Sequence, residues 1–181
     1  MKNPFRRPAK SKAGKSPPND NPQLATALDA IAAAATADDA LAALVSTARA
    51  AIGCDGVTLV RRDADSVEYL TEDAISPLWR GQRFPIRICL SGQALLARST
   101  IVIPDIALDK RVPLNAYLAT FVRSMAVVPI GHDDPQLALG AYWKAVQPIE
   151  PLTIERMIRL ADATAAIIDR DEGDGDGRRV A

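Results

Sequence analysis

The amino-acid sequence predicts a single α+β domain with short tails. Apolar residues recur at helical spacing near both ends of the chain, and short runs of strand-like composition bounded by turn residues lie between them. The chain has 181 residues, of which 48% are apolar, and this suits one well-filled core rather than two ordinary domains. Helices at the ends can bury their apolar stripes against a sheet formed by the middle of the chain.

Two helices are predicted at the start of the folded region. Asn21 suits an N-cap and Pro22 suits the first helical position. Thr36 can cap the second helix, which Gly53 ends. The apolar stripes comprise Leu24, Leu28 and Ile31 in the first helix and Leu41, Leu44, Val45, Ala48 and Ile52 in the second. The alanines between the stripes favour close helix packing, within the chain or across a dimer.

The middle of the chain is rich in strand signals. Residues 57–61 and 66–71 predict a hairpin, with the sequence DAD between its strands. A less regular strand at 83–88 contains Pro85, which cannot donate to a ladder, so this strand is expected at a sheet edge. The remaining strands are predicted at residues 101–103, 125–130 and 137–143.

Three further helices complete the prediction. A short helix at 91–98 has Ser91 as its expected cap, and another is predicted at 115–122 behind Pro113. The last helix is the most regular, with Thr153 as its expected cap. Its apolar face comprises Ile154, Met157, Ile158, Ala161, Ala165 and Ile168.

Charge is distributed unevenly, although Lys plus Arg equals Asp plus Glu over the whole chain. Residues 1–20 are basic and rich in Pro, Lys and Ser, so we expect a disordered tail. We place the folded domain at residues 21–170 and a flexible acidic tail at residues 171–181. The basic start lacks interleaved aromatic residues, so no specific nucleic-acid binding is expected.

The cysteine content and hydropathy favour a reducing compartment. Cys54 and Cys89 are too few for a disulfide framework. No apolar run follows the basic start, which argues against a signal peptide and against a membrane span. We therefore expect a cytoplasmic protein with no membrane span.

Several sequence blocks resemble those of GAF domains, the small sensory modules of bacterial signalling proteins. They are GCDGVTLV, EDAISPLWRGQRFP, CLSGQALLAR, IVIPDIALDKRVP, SMAVVPI and LGAYW, in that order along the chain. The order of predicted helices and strands is also similar, and the resemblance covers about residues 24–169. Similar blocks occur in GAF domains that precede sensor histidine kinases.

The resemblance implies a GAF-like, PAS-related fold. This fold has a central antiparallel sheet of five or six strands, with the terminal helices on one face and a ligand pocket on the other. Such a domain senses a small molecule and passes the signal on through its terminal helices. Because the same fold binds many unrelated molecules or none, the resemblance names no ligand and no cofactor.

Aromatic residues of the pocket region are the first candidates for ligand contacts. Trp79 and Tyr117 fall in predicted loops or short helices, where binding residues concentrate. The cluster expected around the pocket comprises Trp79, Phe84, Tyr117, Phe121 and Trp143. For any single one of them, a core position is the favoured interpretation.

Charged residues of the same region are further candidates. Arg83 and Arg111 carry guanidinium groups that grip carboxylates or phosphates, which leaves an anionic ligand open. The resemblance places the loop containing Asp105 on the pocket rim. The arginines can instead be solvated or paired with nearby acidic residues. His132, the only histidine, lies in a GHDDP turn without a second nitrogen or a thiolate at workable spacing, so no metal site is predicted.

Cys89 is a candidate for bilin attachment, for thiol redox sensing or for an inert core position. In bilin-binding relatives a His follows the attachment cysteine, whereas Leu90 follows here, and this disfavours a bilin. A helix start beside Cys89 can lower the pKa of its thiol, as a redox role requires. The cyclic-nucleotide pattern N-K-F-D-E is missing, as is the three-cysteine set of GAF-fold methionine sulfoxide reductases.

The predicted function is a non-enzymatic cytoplasmic sensor. An unidentified small molecule binds near Trp79, Cys89, Tyr117 and Phe121, and the terminal helices signal to a partner protein. The expected partners are a second copy of the chain in a homodimer and a separate signalling kinase. One alternative is a ligand-free dimerisation or docking module for such a kinase. The other is a thiol-based redox sensor that uses Cys89.

Overall fold

The computed structural model describes residues 21–177, and the side chains of residues 21–173. The basic tail predicted for residues 1–20 lies outside the described residues, as do residues 178–181. The α-helices of the described region are α1 (Pro22–Ala32), α2 (Ala37–Ile52), α3 (Leu90–Ala97) and α4 (Pro151–Gly177). None of these helices is both long enough and apolar enough to cross a membrane.

The strands of the described region form one antiparallel sheet. They are β1 (Gly56–Asp63), β2 (Ser66–Ala74), β3 (Arg83–Pro85), β4 (Ile101–Ile103), β5 (Ser124–Ile130) and β6 (Leu137–Trp143). Their order across the six-stranded sheet is β3-β2-β1-β6-β5-β4, and each pair of neighbours is antiparallel. This arrangement confirms the predicted α+β, GAF-like fold.

The sheet separates two apolar cores. On one face, α1, α2 and α4 pack against β1, β5 and β6, and the buried side chains of this core include Leu24, Ile31, Leu44, Leu139 and Met157. On the other face, α3 and the loop segments around residues 78 and 117 cover a second core that includes Tyr69, Leu90, Ile103 and Tyr142. Successive residues of a strand point to opposite faces, so a one-residue step along β1 or β6 moves a side chain from one core to the other.

The first two helices begin and end as predicted. The Asn21 side chain accepts hydrogen bonds from the backbone N–H groups of Gln23 (3.0 Å) and Leu24 (3.2 Å), and Pro22 takes the first helical position. Thr36 caps α2 by accepting from the Asp39 backbone N–H at 3.1 Å. Gly53 ends α2 with a φ of 78°, in the left-handed region that favours glycine.

Three predicted elements differ in their limits. Helix α3 begins at Leu90 with Cys89 as its N-cap, so the predicted cap at Ser91 is wrong. The helix predicted at 115–122 is only a single 3₁₀ turn, Leu114–Ala116. Strand β3 stops at Pro85 and lies at the sheet edge, as its proline requires.

The last helix is longer than its apolar pattern predicts. It begins at Pro151 rather than after Thr153, and it continues to Gly177. Near its end, the Asp171 carboxylate accepts from the Ala37 backbone N–H at 3.0 Å, and the Arg170 guanidinium donates to the Ala34 carbonyl at 3.0 Å. The predicted limit at residue 170 therefore falls inside this helix, and the segment predicted as a flexible acidic tail starts with a residue that contacts α2.

Candidate functional site

The sheet face opposite the terminal helices contains a small aromatic cavity. Its volume is about 60 Å³. The residues that line it are Tyr69, Trp79, Phe84, Ile88, Cys89, Pro113, Ala116 and Tyr117. Three of the seven predicted site residues, Trp79, Cys89 and Tyr117, therefore meet at one place.

Trp79 is positioned by a carboxylate at the end of β2. The two oxygens of Glu72 accept hydrogen bonds from the backbone N–H groups of Leu78 (3.0 Å), Trp79 (2.9 Å) and Arg80 (2.9 Å). Hydrogen bonds to a charged acceptor are the stronger kind, so this interaction fixes the backbone of the loop. The indole N–H then donates to the Ala116 carbonyl at 3.0 Å, which ties Trp79 to the segment that carries Tyr117.

The aromatic side chains pack edge to face around Trp79. Its ring centroid lies 5.4 Å from that of Tyr69, 5.0 Å from that of Tyr117 and 5.4 Å from that of Tyr142, all in T-shaped geometry. Trp79 and Tyr117 are each only 4% exposed. The aromatic rings thus fill most of the pocket and leave only the small cavity.

Tyr117 follows the 3₁₀ turn and points inward. Its hydroxyl donates to the Met125 sulfur at 3.4 Å, and burial raises the pKa of its phenol well above the ordinary value. A thioether is a weak acceptor. The phenol is therefore a protonated donor with a poor partner.

Cys89 caps α3 with its sulfur, which accepts from the Gly92 backbone N–H at 3.3 Å. Burial raises the pKa of the thiol, and the hydrogen bonds from the start of the helix only partly offset this effect. Glycine is needed at 92 because a Cβ there would lie 1.9 Å from the Ile86 carbonyl oxygen. Gly92 thus lets the start of α3 lie close to the loop that carries Ile86. The raised pKa keeps Cys89 as a neutral thiol.

A cluster of buried hydroxyl groups lies in the same core. The hydroxyls of Thr58 and Tyr142 are 3.0 Å apart, and those of Tyr69 and Ser91 are 3.2 Å apart. All four residues are at most 3% exposed. Tyr69 and Tyr142 both belong to the core on the pocket side of the sheet, and we call the two hydrogen-bonded pairs together the hydroxyl network.

No sequence motif indicates this network, and the prediction that Trp143 lies at the pocket is wrong. Trp143 lies in the core against the terminal helices, where its indole N–H donates to the Gly53 carbonyl at 3.0 Å. Its neighbour Tyr142 faces the pocket instead. The alternation of side chains along β6 was the available signal, since Leu139, Ala141 and Trp143 share one face and Tyr142 the other.

The other predicted site residues do not line the cavity. Arg83 pairs with Asp63 and with Glu68 at the edge of the sheet. Asp105 accepts from the backbone N–H of Ala107 at 2.8 Å in an exposed turn. Their role in ligand binding stays a prediction.

Arg111 and Phe121 also lie outside the cavity. Arg111 contacts the Asp109 carboxylate through two nitrogens, at 3.0 Å and 2.6 Å, and this holds the pKa of Asp109 at about 2. Phe121 packs over the start of β1, where a Cβ at Gly56 would lie 2.9 Å from its ring. His132 is exposed, with its Nε2 3.8 Å from Asp162.

Several solved structures share this fold. The GAF domain of a phosphoenolpyruvate-protein phosphotransferase from Coxiella burnetii has a TM-score of 0.73 at 17% identity, over 86% of this chain and 95% of that chain. The free methionine-R-sulfoxide reductase from Neisseria meningitidis, in complex with its substrate, has a TM-score of 0.71 at 19% identity, over 83% of this chain and 89% of that chain. The phycoerythrobilin-bound GAF domain from a cyanobacterial phytochrome has a TM-score of 0.69 at 21% identity, over 84% and 95%.

At these identities the structural likeness establishes the fold alone. A comparison with curated proteins gives no match. The family model for the GAF domain matches residues 36–141, which is more than half of the chain. This match, together with the sheet order and the two-sided packing, shows that the chain belongs to the GAF domain family.

Proposed function

We propose that this chain is a non-enzymatic, cytoplasmic sensory domain that binds a small molecule between Trp79 and Tyr117 and signals through its terminal helices to a partner protein. GAF domains generally sense small molecules in signalling proteins. The observation that carries the proposal is the cavity on the face opposite those helices, which brings Trp79, Cys89 and Tyr117 together. A concave apolar site with a few polar groups suits a small ligand.

The segment that carries Tyr117 is suited to opening. It contains only one 3₁₀ turn, Leu114–Ala116, and few regular backbone hydrogen bonds hold it. Its main ties to the core are the bond from the Trp79 indole to Ala116 and the weak bond from the Tyr117 phenol to Met125. Segments of this kind open at lower free energy than helices or paired strands.

Strand β6 offers a route from the pocket to the terminal helices. Tyr142 contacts Trp79 on the pocket face, and the next residue, Trp143, lies in the core on the other face. The Trp143 indole donates to the Gly53 carbonyl at the end of α2. A ligand that displaces Trp79 acts on Tyr142, and a shift of β6 then reaches α2, which packs against α4.

The thiol chemistry supports the non-enzymatic part of the proposal. A thiol reductase or redox sensor needs a thiolate. Burial raises the pKa of Cys54 to about 12 and also raises the pKa of Cys89.

Neither described cysteine is in a disulfide, which suits the proposed cytoplasmic location. A redox role for Cys89 fails if Cys89→Ser leaves the oxidised and reduced protein equally responsive in partner binding.

The second candidate is a ligand-free module that dimerises or docks on a separate signalling kinase. One observation favours it. The cavity of about 60 Å³ is far smaller than the roughly 300–1,000 Å³ of typical ligand pockets. In this alternative, the aromatic rings are permanent core side chains.

Native mass spectrometry of protein purified from its own host, before and after denaturation, separates the two candidates. The sensor proposal predicts a copurifying small molecule that denaturation releases and that Trp79→Ala loses. Trp143→Phe, on the other face of the sheet, is the matched control and should retain the molecule. If no molecule copurifies and a metabolite library produces no thermal shift, the pocket is a filled core and the docking module is the better account.

A further inference from the structure

The groups around the cavity indicate the chemical class of its ligand. Among the described residues, every side chain that lines the cavity is uncharged. Burial also raises the pKa of the phenols of Tyr69 and Tyr117 and of the Cys89 thiol, so these groups are neutral near pH 7. Transfer of a charged ligand group into such surroundings is costly, because nothing there replaces its hydration or balances its charge.

Three arginines of the region have other partners. Arg83 is paired with Asp63 and Glu68, and Arg111 forms a two-point contact with Asp109. The Arg123 guanidinium donates to the Val122 carbonyl at 2.8 Å. These contacts hold those three guanidinium groups away from the cavity, and no arginine is among the described residues that line it.

Neutral hydrogen-bonding groups are, in contrast, abundant in this core. Each hydroxyl has one donor and two acceptor lone pairs, so the network of Thr58, Tyr69, Ser91 and Tyr142 has unused capacity. The Tyr117 phenol donates only to the Met125 thioether, and a carbonyl oxygen is a better acceptor than a thioether sulfur. A ligand carbonyl that reaches this phenol would improve its hydrogen bond.

The arrangement of the aromatic rings restricts the shape of the ligand that can bind. The faces and edges of Trp79, Tyr69 and Phe84 surround the cavity in T-shaped pairs, and an added ring continues this pattern. Because about 60 Å³ is too small for a ring, its entry must displace the side chain of Trp79 or Tyr117. Ligand binding and movement of one of these two aromatic side chains are therefore the same event.

We propose that the ligand of this pocket is an uncharged ring compound that carries a carbonyl group, with the carbonyl accepting from the Tyr117 phenol and the ring packed against Trp79. The pocket thereby discriminates against carboxylates and ammonium groups of the same shape. This inference rests on the sensory function proposed above and defines the chemistry of its ligand.

Three probes of nearly equal shape and different charge test the proposal: benzamide (neutral), benzoate (negative) and benzamidine (positive). The readout is the indole N–H signal of Trp79 in a ¹⁵N–¹H spectrum of the full chain, and the Trp143 indole, on the other face of the sheet, is an internal control. Trp143→Phe assigns the two signals. Benzamide should shift the Trp79 signal saturably, and its affinity should exceed those of benzoate and benzamidine by at least about tenfold, which corresponds to about 1.4 kcal/mol.

Tyr117→Phe tests the assigned hydrogen bond, because it removes only the phenol oxygen. Benzamide should bind this variant about fivefold to tenfold more weakly, as expected for one hydrogen bond of about 1 kcal/mol. Toluene, which has no carbonyl, should bind both proteins equally. Preserved dispersion of the amide spectrum shows that the variant is folded.

Two outcomes overturn the inference, and they differ from failure of the proposed function. Equal or tighter binding of benzoate or benzamidine refutes the ligand class but leaves a sensory pocket. If none of the probes shifts the Trp79 signal, a neutral ring does not enter and the inference fails. The proposed function is then decided separately, by whether a molecule copurifies with the protein.

Discussion

Gly140 determines how the hydroxyl network fits inside the pocket core. A Cβ at this position would lie 2.4 Å from the Tyr142 hydroxyl oxygen and 2.8 Å from the Thr58 hydroxyl oxygen. Both side chains are fully buried, so neither can move aside without disturbing its neighbours. Gly140→Ala should therefore lower the free energy of unfolding by about 1–3 kcal/mol, as overpacking does, and urea denaturation measures this loss.

Three further variants make the Gly140 prediction specific. Gly173→Ala in α4 is the control: nothing lies within 4 Å of its added Cβ, and its unfolding free energy should stay the same or rise slightly. Tyr142→Phe removes the nearest atom, so the double variant Gly140→Ala/Tyr142→Phe should lose less than the two single variants together. Strict additivity would contradict the proposed clash.

The thiol of Cys54, a partly buried residue, makes the stability depend on pH above neutrality. Burial raises the pKa of the Cys54 thiol from 9.0 to about 12, so the folded protein keeps a proton that the unfolded chain releases between these values. The free energy of unfolding should be insensitive to this thiol below pH 8. It should then fall above pH 9, with a limiting slope of about 1.4 kcal/mol per pH unit.

Urea denaturation at pH 7, 8, 9 and 10 measures this slope, and Cys54→Ala should reduce it. Measurement stops at pH 10 because the phenols of Tyr69, Tyr117 and Tyr142, whose pKa values are also raised, begin to contribute as the pH approaches 10, and Cys54→Ala leaves their contribution unchanged. An unchanged slope in Cys54→Ala would assign the effect to other groups.

At the residue scale, the sequence predicts which residues lie in the pocket region better than it predicts the direction in which their side chains point. Trp79 and Tyr117 were correctly expected to lie together because both follow turn or loop signals in one aromatic-rich stretch. Trp143 lies in the other core because its register in β6 sets the direction of its side chain, and the size of a residue does not indicate that register. Arg83 and Arg111 have partners close in sequence or across a hairpin, and composition alone did not distinguish such pairing from ligand binding.

At the scale of elements, the end of α4 is held by contacts that no local pattern contains. Asp171 accepts a hydrogen bond from the first residue of α2, Ala37, and so acts as a second N-cap next to Thr36. Asp171→Ala should cost about 0.5–2 kcal/mol of unfolding free energy, as lost caps do. Amide exchange of residues 170–177 should accelerate as α4 loses its tie to α2.

Urea denaturation and hydrogen-exchange mass spectrometry measure both effects. Asp169→Ala removes a nearby exposed carboxylate from the same helix and is the matched control. We expect little change in this variant. Equal losses in both variants would indicate a general charge effect rather than a cap.

The element limits show where local signals suffice. The first two helices and the paired strands were predicted because caps and apolar periodicity are local properties. The segment 115–122 has helix-compatible residues, yet Tyr117 turns inward toward Met125, and this tertiary contact outweighs local propensity. The extension of α4 past residue 169 likewise depends on a partner more than a hundred residues away.

At the scale of the whole molecule, one sheet contributes side chains to two cores, one against the terminal helices and one around the cavity. The terminal helices and the pocket segment never share a face, yet β6 contributes Tyr142 to one core and Trp143 to the other. Interiors are closely packed, so a displacement on one face is transmitted rather than absorbed. In the proposed sensory role, a ligand that moves Trp79 therefore acts on Tyr142 and, through β6, on the core of the terminal helices.

The same two-sided architecture makes the proposed homodimer testable. Most apolar side chains of α1, α2 and α4 are buried within the chain. A dimer formed by the terminal helices must therefore use the apolar side chains that stay exposed on them. On α4 this includes Ile158, which is 38% exposed. Ile158→Asp should weaken a helix-mediated dimer at least tenfold, because it places a charge in the core of the interface.

Leu118→Asp is the control, since this residue is 78% exposed on the pocket face and should not affect association. Sedimentation velocity across micromolar concentrations measures both, and a monomeric wild-type chain, or dissociation by Leu118→Asp alone, would contradict signalling through paired terminal helices.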